Sequence, residues 1–230
     1  GGSRRNMNIV ESQNNIGLKP LVVTPLNYPR LFGVSDFELE ENIRGVRHIR
    51  FDLGENNFQS ASYICDNLQI NTQLLAGLIR KENPSIIHAA SGYKGYELAT
   101  IAKTLSDHFS IPWVYEVRSF HEHTWTKNAF YANDSWHTKQ RILRENSLMR
   151  HSDHIVTISE SMKEALIERG MPGDKITIVP NAVNVDSFKP GKKNKKLTRK
   201  LGIENLRVIG YISNISIREG NETLIQALTK

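Results

Sequence analysis

The sequence predicts an α/β fold, a parallel sheet with helices on both faces, followed by the start of a second domain of the same kind. From Pro20 onward, short β-branched runs alternate with longer stretches of helical spacing, which is typical of βαβ units. After a lysine-rich tract the strand-and-helix pattern begins again. With 39% hydrophobic and 23% charged residues, the chain of 230 residues has the composition of an ordinary globular protein.

Short apolar runs rich in Val and Ile mark the strands of the first domain. Strands of a parallel sheet are buried on both faces and therefore read as nearly continuous hydrophobic runs. The predicted strands comprise residues 20–24, 46–51, 85–89, 113–117, 154–158 and 175–179. Right-handed crossovers between them would place helices on both faces of the sheet.

The helices are predicted from leucine spacing and from start and stop signals. Leucines recur at helical spacing until Asn83 and Pro84 end that helix. Ser159 is the expected cap of a later helix, and Gly170 its expected stop. A further helix is expected around residues 8–13, before the first strand. Because an α/β domain normally begins with a strand, we expect that the chain lacks the first strand of its domain.

The predicted organisation has three segments. Residues 1–180 form the first domain, residues 181–205 a hinge and basic linker, and residues 206–230 the beginning of the second domain. In this last segment, residues 206–213 have the pattern of a buried strand and residues 221–228 that of the following helix. One strand and one helix cannot bury both faces of a sheet, so we expect the second domain to be incomplete in this chain.

At the exit from the first domain, the end of a predicted strand coincides with a possible binding site. The run at residues 175–179 ends at Pro180, and Asn181 follows it. Asp186 is expected to cap a short helical turn, and Phe188 to pack that turn back onto the first domain. The residues leave two interpretations open, an anchored exit without ligand contact and a binding site.

Charge and composition exclude several classes of protein. The net charge of +6 is concentrated at residues 191–200, which hold six basic residues and no acidic ones. Such a block is typical of a solvated connector, and nucleic-acid binding is disfavoured because no aromatic residue is interleaved for base stacking. Contact with an anionic membrane surface is the second interpretation. Cys65 stands alone, so an intrachain disulfide is excluded. With no signal-peptide core and no membrane-length apolar run, a cytoplasmic location is expected, possibly peripheral at the inner face of the membrane.

In open α/β sheets, ligands bind beyond the carboxyl ends of the strands, so the residues after each strand were the first candidates. Residues 88–95 form a small-residue turn that opens a helix, and Ser91 and Gly92 lie in it. The amides at such a helix start can hold an anion or a sugar hydroxyl. A βα turn without a ligand explains the same pattern equally well.

The next predicted strand ends in a dense group of ionisable residues, Glu116, Arg118, His121 and Glu122. Glu116 and Arg118 are two residues apart in a strand and share a face, where they form an ion pair or offer a carboxylate to a hydroxyl nucleophile. A metal site at His121 and His123 is disfavoured because a third ligand at a diagnostic spacing is missing. Perturbed groups at a strand end favour a functional site, with a structural ion pair as the alternative.

Three stretches in sequence order resemble the retaining glycosyltransferases of family four, which have the GT-B architecture of two Rossmann-like domains facing a cleft. They are DHIVTISESMKEALIERG, ITIVPNAVNVDSFKP and VIGYISNISIREGNETLIQAL. Two further stretches, IIHAASGYKGYELATIAK and IPWVYEVRSFHEHTW, are similar to the branch that assembles bacterial polysaccharides. The resemblance implies that a nucleotide-sugar donor binds the second domain, that a glycan or lipid-linked acceptor binds the first, and that transfer retains the anomeric configuration. It implies no cofactor, and together with the absence of an Asp-x-Asp motif it argues against an obligatory metal.

The resemblance also implies site residues. Catalytic positions are Glu116, Arg118, His121 and Glu122, and substrate-binding positions are Ser91, Gly92, Asn181, Gly210, Ser213, Arg218, Glu219 and Gly220. Two departures stand out. Ala182 replaces the glycine that usually follows the hinge asparagine, and Glu219 stands where many relatives have a lysine.

The family's paired glutamates would lie beyond Lys230, and its first strand before Gly1. The resulting hypothesis is a glycosyltransferase of which this chain is an incomplete, inactive portion. A non-catalytic Rossmann-like module that binds a sugar or a protein is the first alternative. A nucleotide-sugar epimerase of the same architecture is the second.

Overall fold

The computed structural model describes residues 2–54, 61–90, 93–122, 135–186, 188–212 and 220–228. Seven helices and seven strands lie in these ranges, together with two short 3₁₀ turns. The helices are α1 Gly2–Asn15, α2 Ala61–Glu82, α3 Tyr93–Phe109, α4 Trp136–His151, α5 Glu160–Glu168, α6 Lys195–Lys200 and α7 Asn221–Ala227. The strands are β1 Leu21–Val23, β2 Glu40–Ile43, β3 Val46–Ile49, β4 Ile87–Ala90, β5 Trp113–Glu116, β6 His154–Thr157 and β7 Ile176–Ile178.

The strands form two sheets. The first is three-stranded in the order β1-β3-β2, and the second is four-stranded in the order β4-β5-β6-β7. Every neighbouring pair in the second sheet is parallel, so the carboxyl ends of its strands meet at one edge. All six predicted strands are found, and the predicted α/β fold with a parallel sheet is confirmed.

Strand β2 was missed by the sequence analysis. It pairs antiparallel with β3 through a tight turn in which Arg44 and Gly45 have φ values of 54° and 83°. Positive φ at both central residues fits a hairpin turn whose twist matches the strands. Because β2 reads Glu-Glu-Asn-Ile, its composition is typical of a loop, and pairing with β3 overrides that preference.

The predicted helix boundaries follow from local hydrogen bonds. The hydroxyl of Ser159 accepts a hydrogen bond from the Met162 amide at 3.3 Å, which caps the start of α5. Gly170, with φ of 83°, follows the end of α5, and its amide donates to the Ile167 carbonyl at 2.8 Å. Asn83 has φ of 47° and separates α2 from Pro84. These start and stop predictions are confirmed.

The core is centred on β5 and lies between the second sheet and helices α3, α4 and α5. Trp113 and Tyr115 are fully buried on β5, as are Met149 of α4 and Leu166 of α5. The indole NH of Trp113 donates to the His151 carbonyl at 3.0 Å, so its single polar atom is satisfied inside the core. This packing fixes β5, and with it the charged residues at its end.

The chain divides into two compact units, residues 1–182 and residues 183–230. In the second unit the predicted strand at 206–213 is wrong over its described part, because residues 206–212 form no strand and are exposed. Ile209 and Ile212 are 61% and 102% exposed. The described residues of this unit contain no other strand with which it can pair, and an isolated strand is not stable in water.

The exit also differs from its prediction. Phe188 is 70% exposed, which does not fit the packed position that was predicted for it. The side chain of Asn184, rather than that of Asp186, organises the turn, because its oxygen accepts the Asp186 amide at 2.9 Å. The basic tract forms α6, a short helix capped by Asn194 at the Leu197 amide.

Replacing Leu166 with Ala should lower the free energy of unfolding by about 2 to 5 kcal/mol, because the side chain is fully buried in the core beneath β5. Leu143→Ala is the matched control, since Leu143 lies on α4 with 57% of its surface exposed and its loss should cost about 0.5 kcal/mol or less. Urea unfolding followed by circular dichroism measures both. Equal losses in the two variants would contradict the assigned core.

Candidate functional site

The candidate site lies at the carboxyl edge of the four-stranded sheet. Glu116 is the last residue of β5, in register with Ala90 of β4 and Val156 of β6. Its side chain has no exposed surface. A buried carboxylate at this position needs several hydrogen-bond donors around it.

Three donors surround the Glu116 carboxylate. Arg118 donates to Oε2 at 2.6 Å and Arg5 donates to Oε1 at 2.8 Å. Nε2 of His88, from β4, lies 3.2 Å from Oε2. The structure therefore brings the predicted pair Glu116 and Arg118 together and adds two residues, Arg5 and His88, that the predicted set did not contain.

The pKa of Glu116 is held below its ordinary value. Burial alone would raise this pKa, but the hydrogen bonds from His88, Arg118 and Arg5 outweigh burial. The carboxylate is therefore ionised at neutral pH. Since it is also inaccessible, the geometry favours the ion-pair interpretation over a carboxylate that receives a proton from a substrate hydroxyl.

Arg5 of α1 joins the end of β5 to the exit segment after β7. Besides Glu116, its guanidinium donates to the Val179 carbonyl at 2.7 Å, the Pro180 carbonyl at 3.0 Å and the side-chain oxygen of Asn181 at 3.2 Å. The predicted residue Asn181 is thereby linked to Glu116. Nothing in the helical pattern of residues 8–13 marked Arg5, whose partners lie more than 100 positions away.

The segment after β5 faces a second charged cluster. Glu122 is fully buried, and its carboxylate pairs with Arg169, which follows α5, at 2.5 Å. The same guanidinium lies 3.9 Å from the centre of the Phe120 ring. Arg169 thus holds residues 120–122 next to the end of α5 through these two contacts. Glu122 is therefore part of a buried ion pair.

His121 lies between these two clusters and is half-buried. Its Nε2 is 3.3 Å from the Ser119 hydroxyl. Burial, followed by the nearby charge of Arg141, lowers the pKa of His121, and the charge of Glu122 opposes this only in part. The imidazole is therefore neutral at pH 7 and able to accept a proton.

Glu145 completes the second cluster and was missed by the sequence analysis. It is fully buried on α4, accepts a hydrogen bond from the Tyr115 hydroxyl at 3.1 Å and lies 3.7 Å from Arg169. Burial, followed by the charge of Glu122, raises the pKa of Glu145 to about 7. A signal was present in the sequence, because Glu145 precedes the buried Leu148 and Met149 by one helical turn and so lies on the apolar face of α4.

The remaining predicted residues lie either in the second unit or outside the described residues. Gly210 lies in the exposed stretch after α6, and Gly220, with φ of 69°, directly precedes α7. Outside the described residues lie Ser91, Gly92, Ser213, Arg218 and Glu219, and also His123. Their roles stay predictions.

Two further features bear on the site. An open groove of about 610 Å³ lies at the opposite edge of the sheet, beside the start of β6, and Arg150, Asp153 and Lys175 contribute to its lining. It lacks the enclosed apolar lining typical of small-molecule sites. Over the ranges that the structure describes, none of the helices is both long and apolar enough to cross a membrane.

We expect the free energy of unfolding to fall as the pH rises from about 4.3, the ordinary pKa of glutamate, towards the raised pKa of about 7 of Glu145. Over this range the folded state holds a proton on Glu145 that the unfolded chain releases. Glu145→Gln should remove this decline, which amounts to at most about 4 kcal/mol at 1.36 kcal/mol per pKa unit.

Urea unfolding at pH 5, 6, 7 and 8 measures the effect, with the exposed Glu164→Gln as the matched control. An equally steep decline in wild type and Glu145→Gln would contradict the assignment. Glu116 contributes in the opposite sense, because its stabilisation is present above the ordinary glutamate pKa and is lost as the pH falls through its lowered one.

Comparison with known proteins places this geometry in context. A D-inositol 3-phosphate glycosyltransferase of Stackebrandtia nassauensis is 29% identical over 102 residues, which cover 43% of this chain and 23% of that protein. Sucrose-phosphate synthase from Thermosynechococcus elongatus superposes with a TM-score of 0.73 at 16% identity, over 99% of this chain and 54% of the other. The Anabaena protein HepE, solved in complex with UDP and glucose, gives a TM-score of 0.58 at 18% identity, over 80% of this chain and 45% of the other.

The chain therefore spans about half the length of the solved structures that it matches. The glycosyl transferase 4-like domain model matches residues 1–182, which include both charged clusters. The assignment as a GT-B glycosyltransferase that the sequence predicted is confirmed, while retention and the polysaccharide branch stay predictions. The chain belongs to the family of glycosyl transferase 4-like domains.

Proposed function

We propose that the protein containing this chain transfers a sugar from a nucleotide-sugar donor to a hydroxyl of a glycan or lipid-linked acceptor, with retention of the anomeric configuration. The observation that carries the proposal is the charged cluster around Glu116, at the carboxyl edge of a parallel sheet that lies inside the family match. In this proposal the first unit binds the acceptor. The donor binds mainly to residues of the second unit.

In the transfer, the acceptor hydroxyl oxygen forms a bond to the anomeric carbon as the bond from that carbon to the donor phosphate breaks. The nucleoside diphosphate leaves with the electron pair of the broken bond, and the hydroxyl proton passes to a base. Glu116 is fully buried and ionically paired, so it is unsuited to receive this proton. His121 is the better candidate among the described residues, because it is half-buried and neutral at pH 7.

UDP-sugars are the first donors to test, since HepE was solved with UDP and with UDP-glucose. A ligand at about 100 times its dissociation constant stabilises the folded state by about 2.7 kcal/mol, which raises the melting temperature by several degrees. A thermal-shift screen of UDP-, GDP-, ADP- and TDP-sugars therefore names the donor. We expect the shift in a longer product of the same gene and a smaller one, or none, in this chain of 230 residues.

Absence of any shift in both forms, with both folded, would contradict the transferase and favour a binding module. Conversion of the free nucleotide-sugar to its epimer without an acceptor would contradict it in favour of the epimerase. Transfer to an acceptor with inversion would contradict the proposed stereochemistry alone.

His121→Ala should lower kcat by about 10²- to 10⁴-fold, the range typical of a general base, with a smaller effect on the KM for the donor. In the wild type, kcat should fall towards low pH as His121 becomes protonated, and this limb of the profile should be absent in the variant. His108→Ala is the control, because His108 is exposed near the end of α3. Steady-state kinetics of the form that turns over the donor measures both. If the fall in kcat at low pH were unchanged in His121→Ala, the assignment of His121 as the general base would be contradicted.

A further inference from the structure

The contacts of Arg5 fix the orientation of the Asn181 carboxamide. A guanidinium has hydrogen-bond donors and no acceptor, so the atom of Asn181 that lies 3.2 Å from Arg5 is its oxygen. The NH₂ group of the same carboxamide must then point away from Arg5. Asn181 is exposed, so this NH₂ group is available to a ligand.

Glu116 has no exposed surface for a ligand to contact, but Arg118, which donates to its carboxylate, does. Arg118 uses one terminal nitrogen for Glu116 and keeps 14% of its side-chain surface exposed. Its Nε is buried and has no hydrogen-bond partner among the residues that the structure describes. An unsatisfied buried donor costs about 1 to 3 kcal/mol, so Arg118 has hydrogen-bonding capacity that the described residues leave unused.

The charges at this edge do not cancel. Two guanidinium groups, those of Arg5 and Arg118, face one carboxylate, that of Glu116. Arg5 bonds both this carboxylate and Asn181, and the carboxylate in turn accepts from Arg118, so Glu116 and Arg5 together link Arg118 to Asn181. The groups left for a ligand are hydrogen-bond donors with an excess of positive charge, which is the chemistry that recognises an oxyanion.

We propose that Arg5 is a positioning residue that presents Arg118 and the NH₂ group of Asn181 to an oxyanion, phosphate or carboxylate, carried by the substrate that binds the first unit. As a statement about the acceptor, this inference rests on the proposed function. Arg118 and Asn181 contact the oxyanion, whereas Arg5 acts through them.

The test distinguishes the hydrogen-bonding geometry of Arg5 from its positive charge. Arg5→Lys keeps the positive charge, but a lysine cannot serve the four acceptors that Arg5 holds in a planar fork. Arg4→Ala removes a charge from the neighbouring exposed position of α1. Sodium phosphate and sodium acetate are titrated separately into the chain of 230 residues at constant ionic strength, and the side-chain NH₂ signals of asparagine are followed by NMR.

The Asn181 signals are identified by their absence in Asn181→Asp. We expect phosphate or acetate to shift them, Arg5→Lys to weaken that binding at least fivefold and to move the signals before any anion is added, and Arg4→Ala to change the affinity less than twofold. The anion that binds distinguishes a phosphorylated from a carboxylate-bearing acceptor. Shifts with neither anion, or a larger loss in Arg4→Ala than in Arg5→Lys, would overturn the proposal.

Asn181→Asp provides a second test that does not depend on the folding of the Arg5 variants. The new carboxylate still accepts from Arg5, so the melting temperature should stay the same or rise, while anion binding should fall at least tenfold because a donor has become an acceptor. Wild-type anion affinity in this variant would overturn the proposal. Anion binding that depends on Arg5, in a protein that turns over no nucleotide-sugar, would contradict the proposed function and leave this inference standing.

Discussion

The buried carboxylate of Glu116 is the constraint around which the edge of the sheet is built. An ionised group without solvent contact is stable only when donors replace its lost hydration, and removing one partner of such a pair costs about 3 to 5 kcal/mol. The three donors come from α1, β4 and the residue two positions beyond the carboxylate itself. Arg5 also donates to the carbonyls after β7. The hydrogen bonds that replace the lost hydration of Glu116 therefore also hold α1, β4, β5 and the exit segment together.

The two sides of the segment after β5 show how environment decides the protonation of the same residue type. Around Glu116 the donors exceed the carboxylates, so the group stays ionised. In the second cluster Glu122 and Glu145 share Arg169, and burial, followed by the charge of Glu122, raises the pKa of Glu145. In a buried site, ionising both of two carboxylates near one cation is unfavourable in free energy. Between the two clusters along the chain, burial and then the positive charge of Arg141 lower the pKa of His121, so this short segment places a proton acceptor beside fixed charges.

The sequence predicted those features that depend on local chemistry. Runs of Val and Ile, the Ser159 cap, the Gly170 stop and the Asn83-Pro84 break each act over a few residues, and all were located correctly. The pairing of Glu116 with Arg118 was also local, because alternate residues of a strand share a face. Features that depend on distant partners were missed. Arg5 meets Glu116 across 111 positions, and a charged residue in a helix gives no indication of which strand end it will reach.

The wrong predictions share a cause with the missed ones. The apolar run at 206–213 has the composition of a buried strand, but a strand forms only against a neighbour, and composition carries no information about whether that neighbour is present. Phe188 was predicted to pack the exit turn back onto the first domain, and it is exposed.

A motif at a strand end is therefore best interpreted by asking, for each polar atom, which partner satisfies it. At this edge the carboxylate has three partners inside the protein, whereas an arginine nitrogen and an amide nitrogen have none among the described residues. The unpaired donors, rather than the carboxylate that first draws attention in the sequence, define the chemistry that a ligand must bring.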